Sequence, residues 1–188
     1  MNTTDRITTE NQMNRSTPTP NSLPRSGRAR LQDGVRPDTA AQRTRFAGLV
    51  DIENALIARD LLIPLPYRRE VFEALDYYLA GIPVRVAAGP RVVKACIPEL
   101  ASRGWGLTLV TARPDAADRA LIEAGRQMAA SGVTDLVIVS GDHAFATLAP
   151  VARLHVIARR GSLSRQLRLA ATTITYLPAL QNHTQAVA

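Results

Sequence analysis

The stretch Phe46-Ala-Gly-Leu-Val-Asp51-Ile-Glu-Asn54 decides the fold. Five residues without charge end directly on an acid, and the next turn carries Glu53 and Asn54. The same pattern returns at Leu136-Val-Ile-Val-Ser140-Gly141-Asp142, and a third apolar run, Leu107-Thr-Leu-Val-Thr111, precedes Asp118. Short, nearly continuous apolar runs are expected of parallel strands covered on both faces. Reading outward, strands are expected at 46–51, 83–88, 106–111, 135–140, 154–159 and 172–177. Helices are expected at 66–80, 90–103, 115–130, 144–152 and 163–171. Gly81, Gly104 and Gly132 follow helical segments, where a left-handed residue often closes the helix. The alternation implies a three-layer, doubly wound α/β domain with a mostly parallel sheet.

That domain is expected to span 46–178. Residues 1–45 hold eight arginines against four acids and few large apolar groups. Such a composition buries too little surface to offset its ordering entropy, so a disordered basic tail is expected. Its role is open between a solvated tail and an electrostatic tether to RNA. Residues 179–188 read as a C-terminal tail.

The net charge is +7, and Lys94 is the only lysine beside the arginines. Arginine suits bidentate phosphate contacts, although a base-composition bias produces the same excess. Cys96 is the only cysteine, which excludes an internal disulfide and fits a reducing compartment. Its apolar neighbours predict a core position. No apolar run reaches the ~18–20 residues of a membrane span, and no signal-like segment opens the chain, so a cytoplasmic protein without membrane partners is expected.

Carboxylates gathered at the carboxyl edge of a parallel sheet repel one another unless a cation lies between them. Hard divalent ions take such oxygen donors. Each acid also has an ordinary reading. Asp51 and Asp142 suit helix caps or turns, with Ser140 beside them. Asp115 suits an N-cap, with Asp118 completing a capping box. Asn54 can offer a neutral oxygen or steady a carboxylate. His143 can position a water or meet a leaving group. His155 and His183 receive no role.

From His143 onward there is no acid, but there are Arg153, Arg159, Arg160, Arg165 and Arg168. Arg159 and Arg160 end a predicted strand. Ser162 then sits at a predicted helix N-terminus, and Arg165 and Arg168 share a helical face. The segment reads either as a solvated face or as a track for an RNA backbone. Trp105, Phe46, Phe72 and Phe145 are expected in the core, and Tyr67, Tyr77, Tyr78 and Tyr176 are candidate platforms for stacked bases. The first strand lacks a Gly-x-Gly-x-x-Gly turn, and the chain has no phosphate-loop Gly-Lys-Ser/Thr, zinc-type Cys/His spacing or Gly-x-Ser-x-Gly elbow.

Asp51-x-x-Asn54, Ala117-Asp118, Val139-Ser140-Gly141-Asp142 and Arg159-Arg-Gly-Ser162-Leu-Ser164, in this order, resemble a NYN domain of the PIN-like ribonuclease group. The resemblance implies strand order 3-2-1-4-5, with room for a sixth strand. It implies Mg2+ or Mn2+ held by Asp51, Asp118 and Asp142, supported by Asn54, and hydrolysis of RNA. The family often reads Ser-Gly-Asp-x-Asp-Phe, whereas Ala144 stands at the second acid here, and Glu123 is one position away from another family acid. One ion rather than two, or a degenerate site in a non-catalytic RNA-binding adaptor, is therefore left open. A small-molecule phosphohydrolase is a third reading, and homo-oligomerisation is not decided.

Overall fold

A computed structural model describes residues 39–40, 44–111 and 113–179. The expected tails, 1–45 and 179–188, lie almost wholly outside the described residues. Along the chain run β1 (Phe46–Asp51), α1 (Ile52–Leu56), β2 (Ile57–Ala58), β3 (Leu61–Leu62), α2 (Leu65–Tyr78) and β4 (Val84–Ala88). Then come α3 (Pro90–Ala95), α4 (Ile97–Ala101), β5 (Gly106–Leu109), α5 (Ala116–Ala130), β6 (Asp135–Val139), a 3-10 helix (His143–Leu148), β7 (Arg153–Ala158), α6 (Arg165–Ala170) and β8 (Ala171–Tyr176).

Six strands form one parallel sheet in the order β5-β4-β1-β6-β7-β8. Counting only these strands, the order is 3-2-1-4-5-6, a three-layer, PIN-like α/β architecture. Alternation along each strand explains the layers. Val50, Val86, Val137, Val139 and Ile157 point into one core, with Phe72, Leu75 and Tyr78 of α2 and with Val92, Cys96 and Leu100. Leu49, Ala87, Leu136, Ile138 and Val156 point into the other, with Leu121 of α5, Phe145, Leu148 and Leu167. Gly81, Gly104 and Gly132 take positive φ.

Several local expectations are corrected. The helix expected over 90–103 breaks at Cys96, because Pro98 cannot donate to the preceding turn and disfavours helix before it. Cys96 itself is fully buried, at the junction of α3 and α4. The 106–111 run is not covered on both faces: β5 is an edge strand, with Leu107 and Leu109 exposed. The 144–152 segment closes as a 3-10 helix over 143–148. Tyr78 is no stacking platform, since it lies one turn past Leu75 on the buried face of α2. Tyr67 and Tyr77 pack partly against the same core, as do Phe46 and Trp105, while Phe72 and Phe145 are buried.

At the opposite, amino end of the sheet, buried Asp135 receives two hydrogen bonds from Arg153, both 2.7 Å, one from Thr134 at 2.7 Å, and a 2.9 Å contact from His155. His155 also meets Thr173 at 2.9 Å. Burial raises the Asp135 pKa, but the bonds from Arg153, His155 and Thr134 outweigh it and hold the carboxyl well below its ordinary value. A depressed carboxyl pKa contributes stability above about pH 4 that is lost as pH falls. Asp135→Ala is expected to cost about 1–3 kcal/mol at pH 7, because it leaves the buried His155 ring without its carboxylate partner, while the exposed Arg153 turns to water. Thermal denaturation at pH 7 and pH 3 checks this: the gap between variant and wild type should narrow at pH 3, below the unfolded carboxyl value, without vanishing there.

Candidate active site

The sheet order reverses between β4 and β6, on either side of β1. In open parallel sheets such a reversal leaves a crevice beyond the carboxyl ends of the strands. A groove of about 800 Å³ lies there, lined by Asp51, Glu53, Asp115, Asp118 and Asp142 and by Arg91, Arg113 and Arg159. The three acids singled out from sequence therefore meet in one groove, delivered by β1, α5 and the turn after β6.

Asp51 ends β1 and is 6% exposed. Its Oδ1 accepts the Asn54 N–H at 3.1 Å, capping α1, and its Oδ2 accepts the Ser140 hydroxyl at 3.1 Å. Ser140 Oγ in turn accepts the Asp142 N–H at 3.2 Å, so one buried hydroxyl ties the two strand ends together. Asp142 Oδ1 accepts the Ala144 N–H at 2.7 Å and lies 3.1 Å from His143 Nδ1. Asp51 and Asp142 thus do act as caps, while also facing the groove. Asp118 opens α5 and makes no hydrogen bond or ion pair with a described residue. The capping box does not form: Asp115 precedes α5 with φ 57° and gives no side-chain cap.

Asn54 works by its position rather than as a free donor. Its side-chain oxygen accepts the Gly141 N–H at 3.0 Å, and its carbonyl accepts Arg159 Nε–H at 2.8 Å. These bonds join α1 to the turns after β6 and β7. Gly141 is required there by close approach, because an added Cβ would lie 2.3 Å from the Ser162 carbonyl oxygen.

Two carboxyls are held above their ordinary pKa, chiefly by burial and further by neighbouring acids. Burial is the largest influence on Asp51 and, with Asp118 and Glu53, pushes it up to about 7 against the opposing bonds from Asn54 and Ser140. Burial, then Asp142, Asp115 and Glu53, push Asp118 up to about 6, with His143 opposing. The Arg159 guanidinium is lowered by burial and drawn back by Asp51.

The remaining sequence candidates are dispersed. Arg159 lines the groove, but Arg160, Ser162, Arg165 and Arg168 do not. Arg160 lies 4.9 Å over the Tyr176 ring, and Arg165 and Arg168 are exposed on α6. Ser162 is not a helix cap: Ser164 caps α6 by accepting the Leu167 N–H, while the Ser162 hydroxyl donates to the Arg159 carbonyl. Sequence reading missed Glu53, whose Oε1 accepts the Gly89 N–H at 2.9 Å, and it missed Arg91 and Arg113. The one available signal was that all three closely follow strand ends.

Among the described residues, no group of three or more His, Cys, Asp or Glu side chains converges closely enough to hold a metal ion outright. The donor set nevertheless fits a hard cation in kind: carboxylate oxygens, mutually repelling, two of them held reluctant to ionise. Mg2+ usually keeps several of its waters and takes only one or two carboxylates together with substrate phosphate, so it needs no ready-made cage.

The fold and groove define a parallel α/β protein with an acidic crevice at its switch point. No family model matches the chain, and no curated protein matches it. A crystal structure of a protein of unknown function from Vibrio parahaemolyticus RIMD 2210633 is similar in fold, with TM-score 0.51 and 18% identity, covering 71% of this chain and 92% of that one. Among the described residues, no helix is long and apolar enough to cross a membrane.

Proposed function

We propose that this chain is a NYN-type, PIN-like endoribonuclease that hydrolyses RNA phosphodiester bonds with Mg2+ or Mn2+. The observation that carries the reading is the meeting of Asp51, Asp118 and Asp142, from three distant segments, in one groove at the switch point. Asp51, Asp118 and Asp142 would hold the ion. Such an ion, when bound, lowers the pKa of a coordinated water and neutralises phosphate charge. The protein's own part is positional. Ser140 and Asn54 fix Asp51, the Ala144 N–H fixes one oxygen of Asp142, and Arg159 supplies positive charge to a phosphate entering the groove. His143, exposed and with Nδ1 3.1 Å from Asp142 Oδ1, leaves Nε2 without a described partner and able to exchange a proton with a leaving oxygen.

A non-catalytic RNA-binding adaptor is the second reading. Ala144, in place of a further acid, and the incomplete convergence of the carboxylates favour it. Incubating a 5′-labelled RNA with the protein and Mg2+ or Mn2+ separates the two. Internal cleavage, stopped by chelation and reduced at least 100-fold in Asp142→Asn, is expected. Tight binding that survives chelation, with no cleavage at any metal concentration, would leave only the adaptor.

A further inference from the structure

The sheet order sets a charge pattern along the carboxyl edge. Arg113 follows β5, Arg91 follows β4, Asp51 ends β1, Asp142 follows β6 and Arg159 follows β7. Positive groups therefore lie on both sides of the acids. Elsewhere in this protein arginines near acids pair with them, as Arg103 does with Asp76 and Arg153 with Asp135. Arg91 and Arg113 share a groove with five acids, are exposed, and their guanidinium groups form no ion pair or hydrogen bond among the described residues. Exposed and making no pair, these two guanidinium groups are solvated at little cost and stay free to take a phosphate in bidentate fashion.

We infer that Arg91 and Arg113 form a phosphate-holding flank opposite Arg159, so that an RNA backbone crosses the groove and is gripped on both sides of the acids. From β4 and β5 to β7 is three and four strand spacings, roughly 14 and 19 Å between backbones. An oligonucleotide presents several phosphates and can meet both flanks at once, so the site is expected to favour it over a mononucleotide. This rests on the reading of the groove as an RNA site, and it adds residues with a positioning role.

The test is binding of a fluorescein-labelled ten-nucleotide single-stranded RNA, followed by anisotropy in EDTA across a salt series. Each phosphate contact on a single strand contributes about 0.7 to the slope of log affinity against log salt. Arg91→Gln with Arg113→Gln should lower that slope by about 1.4 and weaken binding about tenfold at low salt, with an unchanged melting temperature. With Mg2+ present, KM for the same RNA should rise about tenfold while kcat stays within twofold, a split that a loss of folding would not give. A double variant with the wild-type slope and affinity overturns the flank. If the slope falls but no RNA is cut, the flank stands and the nuclease reading fails. If RNA is cut and the slope is unchanged, the reverse holds. Equal affinity for uridine monophosphate and the ten-mer overturns the two-sided grip.

Discussion

Asp51→Asn is expected to make the protein more stable above pH 7 and to abolish its stabilisation by divalent cations. The unfolded chain releases the Asp51 proton near 3.8, whereas the folded protein holds it to about 7. Between these values the native state binds the extra proton, so stability falls as pH rises, by up to about 1.4 kcal/mol per pH unit, and levels off above 7. Asparagine keeps an oxygen for the Asn54 N–H and removes the ionisation. The variant should therefore gain about 2–4 kcal/mol over wild type at pH 8 and nothing at pH 4. Millimolar Mg2+ should return part of that loss to wild type at pH 8 and do nothing for the variant. Denaturant titrations at the two pH values, with and without Mg2+, read all four quantities. A wild type whose stability does not fall from pH 4 to pH 8 would show that burial does not hold the Asp51 proton.

Gly141→Ala is expected to have the opposite character, a loss of both stability and site. Its Cβ would lie 2.3 Å from the carbonyl oxygen and 2.7 Å from the carbonyl carbon of Ser162, both backbone atoms that cannot swing aside. Moving the turn breaks the Gly141 N–H bond to Asn54 and the Ser164 N–H bond to the Gly141 carbonyl, and it displaces Asp142. Overpacking of this kind costs about 1–3 kcal/mol, and the melting temperature should fall by about 3–10 °C. RNA cleavage should fall to the level of Asp142→Asn. An alanine variant with wild-type melting and activity would show that the turn has slack the structure does not contain.

The six strands were legible because Phe46–Val50, Leu136–Val139 and Leu154–Ala158 each carry apolar residues on both sides of the pleat, a signal local to the strand; their order was expected only from the family resemblance, since no single strand carries its pairing. The acids were legible because each follows such a run. What lay beyond sequence was whatever depends on two distant segments. The β2–β3 hairpin turns through Arg59 and Asp60 at positive φ, a conformation normally announced by Asn or Gly. Only the tertiary structure brings Glu53 to the Gly89 N–H and Arg91 and Arg113 to the acidic groove. Ser162 was misjudged as a cap because Ser164, two residues on, carries the same chemistry. Asp135 was overlooked because an acid at the start of a strand looks like a turn residue until Arg153 and His155 arrive from the neighbouring strand.

Electron paramagnetic resonance of Mn2+ at pH 8 tests the central claim most directly. The wild-type protein is expected to take up Mn2+ saturably, and Asp118→Asn and Asp142→Asn, whose side chains come from different elements, should each weaken uptake at least tenfold. Uptake unaffected by either substitution, or absent from the wild-type protein, would contradict the assignment of one shared ion to these carboxylates.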